Sequence, residues 1–132
     1  MYKKTITYTD FDGVERTEDF YFNLTKAELF DLNFKHPGGL ANHIRRIMAA
    51  QDNPELLRVF QEIIDISYGE KDETGRRFIK SKELTDAFKQ TNAFSIFYME
   101  LAMDSDAAAA FINGVVPADL ADNVSAASEI AG

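Results

Sequence analysis

Residues 2–22 read YKKTITYTDFDGVERTEDFYF, and their alternation decides how the chain begins. Over residues 2–9, Tyr2, Lys4, Ile6 and Tyr8 alternate with Lys3, Thr5, Thr7 and Thr9, the period of a half-buried strand. Residues 14–22 alternate again, with Val14, Phe20 and Phe22 in phase. Asp10-Phe11-Asp12-Gly13 lies between them as a hairpin turn. A two-residue Asp12-Gly13 loop would set Phe20 and Phe22 on the face opposite Ile6 and Tyr8. A three-residue loop, Phe11 to Gly13, instead pairs Asp10 with Val14 and Tyr8 with Arg16. That register gathers Tyr2, Ile6, Tyr8, Val14, Phe20 and Phe22 on one face, as a one-sided sheet requires. It also leaves Gly13 at the left-handed position of a bulged turn. The second register is preferred.

Downstream the period changes to that of helices. Thr25-Lys26-Ala27-Glu28 forms a capping box that opens a helix through Ala27, Leu29 and Phe30. His36-Pro37-Gly38-Gly39 interrupts it, because the residue before proline avoids helical geometry and glycine weakens any continuation. Leu40, Ile44, Ile47 and Met48 then share a helical face. Asn53 caps, and Pro54 opens, a helix carrying Leu56, Leu57, Phe60, Ile63 and Ile64, closed by Tyr68-Gly69. Gly69 to Gly75 reads as a charged loop between helices, and Phe78-Ile79 as extended. Ser81 caps a helix with Leu84, Ala87 and Phe88. After a break near Thr91-Asn92, a helix carries Phe94, Phe97, Tyr98 and Leu101. Ser105 caps an alanine-rich helix reaching Phe111 and Ile112, and Pro117 opens a last turn over residues 118–121. The expected fold is α+β: one domain over residues 1–121, with a β-hairpin at 1–23 and a mostly helical part at 25–121, then a flexible tail at 122–132.

Composition limits the chemistry. The chain has 132 residues, enough for one core and too few for two ordinary domains. It contains no cysteine, which removes disulfides and thiolate metal sites and suits a reducing cytosol. No apolar run approaches the roughly 20 residues that span a bilayer, so no membrane partner is expected. The net charge of −8 opposes a phosphate backbone, and the basic pairs Lys3-Lys4, Arg45-Arg46 and Arg76-Arg77 are scattered. Nucleic acid is therefore not an expected partner.

Each motif that could carry catalysis or bind a cofactor has a simpler structural reading. His36 and His43 stand seven apart across the Pro-Gly-Gly break and lack an obvious carboxylate partner, so no metal site is assigned. Gly69 to Gly75 has five residues between its glycines and no Lys-Ser/Thr, so it is not a phosphate loop. Asp10-Phe11-Asp12-Gly13 and Asp104-Ser105-Asp106 resemble parts of calcium loops but lack the glutamate that completes one. Glu62 with Asp65, and Asp72 with Glu73, carry no sign of the burial that acid–base pairing needs. No catalytic residue and no cofactor is expected; the chain reads as a non-enzymatic binding protein. Phe94, Phe97, Tyr98 and Leu101 are the candidate partner-binding stripe, with core packing as the competing reading of the same face. The free edges of a two-stranded ribbon are a second candidate surface.

The ordered segments YTDFDGVERTEDFYFNLT (8–25), GGL (38–40), IRRIMAAQD (44–52), SYGEK (67–71), GRRFIK (75–80) and FINGVVPADL (111–120) resemble the tail assembly chaperones of long-tailed bacteriophages and prophages. The resemblance runs to about Ala121. It implies a protein that binds and solubilises the tape-measure protein, the long helical ruler of the tail, and assists tail-tube assembly around it. It also implies action in the host cytoplasm, absence from the mature virion, and for many members a frameshifted longer form. The tail-tube protein is a further implied partner, and self-association is left open. The competing reading is a structural tail or head-completion protein retained in the virion; a host-directed inhibitor is more distant.

Overall fold

In a computed structural model of the chain, residues 1–35, 38–39, 42–43, 46, 50 and 53–115 are described. Strands β1 (Tyr2–Thr9) and β2 (Glu15–Phe22) form the hairpin, followed by helices α1 (Lys26–Lys35) and α2 (Asn53–Ser67). Short strands β3 (Tyr68–Lys71) and β4 (Phe78–Ile79) come next, then helices α3 (Lys82–Lys89), α4 (Asn92–Met103) and α5 (Ser105–Val115). Of the helix expected around Leu40 to Met48, Asn42, His43 and Arg46 are described and helical, while its apolar positions Leu40, Ile44, Ile47 and Met48, together with His36, the turn after Pro117 and the tail at 122–132, lie outside the described residues.

The hairpin takes the three-residue loop. Tyr8 stands opposite Arg16, the Asp10 amide donates to the Val14 carbonyl at 2.8 Å, and the Gly13 amide donates to the Asp10 carbonyl at 3.0 Å. Gly13 has φ +82°, the left-handed conformation the loop requires. The Asp10 carboxylate finishes the turn. One oxygen accepts from the amides of Asp12 and Val14, each at 2.9 Å, and the other pairs with the Arg16 guanidinium at 2.6 Å. The Arg16 guanidinium, helped by those amides, holds this carboxyl below its ordinary range. A cation site at Asp10 and Asp12 therefore has a simpler explanation in turn chemistry. Gly13→Val should destabilise the protein by about 1–2 kcal/mol or somewhat more, because a β-branched residue resists positive φ. A Cβ there meets nothing within 4 Å, so backbone strain alone is tested. An unchanged urea-unfolding midpoint would refute the strained-turn account.

One element of the expected one-sided face fails. Ile6, Tyr8 and Phe22 are buried and Tyr2 and Phe20 pack against them, but Val14 is 51% exposed. It sits at the hairpin tip, where alternation continues while the core beneath does not.

The sheet is larger than the expected ribbon. It has four antiparallel strands in the order β1-β2-β3-β4, with Tyr21 opposite Gly69 and Phe22 opposite Tyr68. The stretch expected as a charged loop between helices is thus a strand and a turn, and Phe78-Ile79, expected to be extended, is the strand β4 that pairs with it. Asp72 organises that turn. Its amide donates to the Arg77 carbonyl at 3.0 Å, and its carboxylate accepts from the Thr74 hydroxyl at 2.9 Å. Gly75, at φ +72°, supplies the left-handed residue.

Capping chemistry places the helices. Glu28 and Thr25 close the capping box reciprocally, at 3.0 and 3.2 Å. The hydroxyls of Ser81 and Thr91 accept from the amides of Leu84 and Phe94. For α5 the cap is Asp104 and not Ser105: its carboxylate accepts from the amides of Asp106 and Ala107. Aspartate and serine cap comparably well, so the residue that reaches the free amides decides.

Phe22 is the centre of the core. It is fully buried, and the rings of Tyr2, Tyr68, Phe88, Phe97 and Phe111 surround it at 5.1–6.1 Å between centroids. Such pairs add about 0.5–1.5 kcal/mol each beyond their area burial. The α4 and α5 helices pack on β1, and α3 packs on β3. Burial pushes the Tyr68 hydroxyl up to about 12.

Candidate partner-binding surface

The residues first proposed to bind a partner divide between core and margin. Phe97 is 1% exposed and Leu101 3%, and Phe97 meets Phe22, Tyr2 and Phe111. Phe94 is half-buried with its ring nearly perpendicular to that of Phe88, and the Tyr98 ring lies 5.8 Å from it. The Gln61 amide donates weakly to the Tyr98 hydroxyl at 3.4 Å. The face is therefore core at Phe97 and Leu101 and turns toward solvent at Tyr98.

The apolar side chains left in solvent lie elsewhere. On α1, Leu29 and Leu32 are buried, which turns Phe30 and Phe34 outward by roughly 100° or more at helical spacing. Phe34 is 76% exposed, and the two rings meet edge to face at 4.9 Å. On α4, Ile96, Met99 and Met103 form a second exposed stripe at i, i+3 and i+7. Both groups had a readable signal. Phe30 and Phe34 are four apart and out of phase with Leu29 and Leu32, while α4 is apolar almost all round.

Two concavities accompany these surfaces. One, of about 440 Å³, lies between the start of α2, the end of α4 and α5; Leu56, Phe60, Met103, Ala108 and Ile112 line it. The other, of about 560 Å³, lies beside the start of α1 and is polar, with Arg76, Arg77 and Lys80 at its wall. Glu28, also in its wall, supplies an internal counter-charge to Lys80. The Lys80 ammonium donates to Glu28 at 2.7 Å and to the Asn23 carbonyl at 2.6 Å. Burial alone would raise the Glu28 carboxyl, but Lys80 and Thr25 together hold it below its ordinary value.

Among the described residues no group of three or more His, Cys, Asp or Glu side chains is placed to hold a metal, and no helix is long and apolar enough to cross a membrane. The Asp104 carboxylate is engaged at the start of α5, Asp65 pairs with Lys89 at 2.6 Å, and His36 lies outside the described residues. What the geometry offers is apolar surface on an acidic, charge-rich chain.

No curated protein and no solved structure matches the chain. The family model for phage tail assembly chaperones does, over residues 1–131, nearly the whole sequence from hairpin to tail. With that match beside exposed apolar helix faces and no assembled reactive centre among the described residues, the chain belongs to the phage tail assembly chaperone family.

Proposed function

We propose that this chaperone binds the tape-measure protein of its own phage or prophage, keeps it soluble in the host cytoplasm, and assists assembly of the tail tube around it without remaining in the virion. The observation that carries the reading is the exposed Phe30–Phe34 pair on α1. A long helical client exposes apolar stripes before it is enclosed, and an amphipathic helix docks by laying such a stripe against an apolar face. Two large aromatic rings in solvent supply a face of that kind, and the surplus of 22 acidic over 14 basic residues favours solubility of the loaded complex. Tube subunits that compete for the same client stripes would displace the chaperone. This explains departure without any catalytic step.

Co-expression tests the reading. The tape-measure protein should precipitate alone and be recovered as a soluble complex with this chain. Phe30→Ser together with Phe34→Ser should abolish that rescue with little loss of stability, since exposed substitutions typically change stability by within about 0.5 kcal/mol. A client that stays insoluble either way, with this chain purifying alone, would count decisively against the proposal. Mass spectrometry of purified virions addresses the competing structural role: abundant copies of this chain there would favour a retained tail or head-completion protein.

A further inference from the structure

We infer that the outer edge of β1 and the exposed stripe of α4 together form one interface, and that its occupant is a second copy of this chain related by a two-fold axis. The backbone states the first half. Asp10 and Val14 are a hydrogen-bonded pair, so in the antiparallel ladder Tyr8, Ile6, Lys4 and Tyr2 direct their amides and carbonyls toward β2. Lys3, Thr5, Thr7 and Thr9 direct theirs outward. The Thr9 carbonyl accepts from the Asn92 side-chain amide at 2.8 Å. No described residue meets the backbone groups of Lys3, Thr5 or Thr7. Residues 2–9 contain no proline, glycine or bulge that would blunt this edge.

The second half is the helix beneath it. Asn92, Ile96 and Glu100 recur every four residues and form one row on α4. Both ends of the row are tied to β1, by Asn92 to Thr9 and by the Lys4 ammonium donating to Glu100 at 2.7 Å. Ile96 therefore lies under the β1 edge, and Met99 and Met103 share the adjacent outer row. Interpolating between the two ties at about 3.3 Å per strand residue and 1.5 Å per helix residue sets Met99 roughly level with Thr5.

Only a partner that brings both an open strand and an apolar helix face satisfies both halves, and a second copy brings both. Antiparallel pairing about Thr5 sets Thr5 opposite Thr5, and Lys3 opposite Thr7, of the other chain. About six backbone hydrogen bonds result, with no like charges opposed. The same axis brings Met99 near Met99 of the second copy and Ile96 toward Met103. Another exposed stretch of edge, the outer side of β2 from Glu15 to Asp19, would put carboxylates against carboxylates in such a pairing, which disfavours it, and β4 is only two residues long.

Sedimentation equilibrium on the full chain tests this without reference to any client. The expected mass is twice 14.9 kDa, falling toward one chain on dilution. Thr5→Pro removes an outward amide that makes no bond to β2, and should weaken the dimer at least about tenfold. Met99→Glu should do the same by bringing two carboxylates together at the axis. Mixing Met99→Glu protein with Met99→Lys protein should restore a dimer, because opposite charges then meet. Circular dichroism distinguishes dissociation from unfolding, and if Thr5→Pro does not fold, the exposed Met99 position carries the test alone. A chain that is monomeric up to millimolar concentration would overturn the inference. So would an oligomer whose mass ignores the Met99 substitutions.

Discussion

Phe97→Ala should destabilise the protein by roughly 3–5 kcal/mol, the usual range for truncating a buried aromatic. That loss approaches the whole stability of a marginal domain, which lies at about 5–15 kcal/mol. The position makes the upper part of the range the expectation. Phe97 is 1% exposed and touches Phe22 at 5.1 Å and Phe111 at 5.3 Å, so its loss opens a cavity between the sheet and α5. Phe97→Asn should be worse, since an amide without partners in that space adds about 1–3 kcal/mol. Tyr98→Asn, one residue along, should be mild, because Tyr98 is half-exposed with a single weak polar contact among those resolved. Urea unfolding followed by circular dichroism gives all three values. If Phe97→Ala left the midpoint unchanged while removing client binding, the core assignment would be wrong and the original stripe would be the client surface.

That contrast also explains which parts of the fold were readable. The hairpin register followed from a period of two residues and one glycine, because shifting the loop by one residue reverses every side chain. The helix starts at Thr25 and Ser81 followed from hydroxyls placed three residues before free amides, whereas at Thr91 the pattern marked only a break and the structure adds the cap. Residues 68–71 were not readable as a strand. Their sequence, Tyr-Gly-Glu-Lys, has little β-preference, and they extend because Tyr68 and Gly69 pair with Phe22 and Tyr21, nearly fifty residues earlier. Val14 kept the strand period past the end of the core, and no local pattern marks where the helical layer stops.

The candidate surface was harder to read for a related reason. Helix α4 carries Phe94, Phe97, Tyr98 and Leu101 on one side and Ile96, Met99 and Met103 on the other. An all-round apolar helix reports that both sides are dry or sticky, but not which side faces the sheet. The β1 contacts resolve it: Asn92 and Glu100 fix the rotation of the helix about its axis. In α1 the same ambiguity was smaller, because Leu29 and Leu32 define one face and Phe30 and Phe34 lie off it. The free edge was anticipated in kind, as a property of any short ribbon, while β3 covers part of the β2 side and no other described strand pairs with β1.

Gly69→Ala should be the second large effect, and it tests the part of the fold that sequence reasoning missed. A Cβ built on Gly69 would lie 2.6 Å from the Ile79 carbonyl oxygen and 2.8 Å from the Phe78 ring. The ring can turn aside, but the carbonyl belongs to the β4 backbone, so β3 and β4 must move apart. Overpacking of this kind typically destabilises by about 1–3 kcal/mol, and a backbone obstacle places the expectation at the upper end. The damage should spread locally. Tyr21 pairs with Gly69 on the other side, so displacing β3 also loosens the junction beside the buried Phe22. Gly75→Ala is the control. Gly75 has φ +72° and nothing within 4 Å of a Cβ, so only the backbone penalty of about 1–2 kcal/mol applies. Hydrogen exchange should separate the two, with Gly69→Ala accelerating the amides of β3 and β4 and Gly75→Ala affecting mainly the turn. Equal stability of Gly69→Ala and the parent chain would mean that β4 does not cross β3 this closely. The four-stranded sheet would then reduce to the three strands β1-β2-β3.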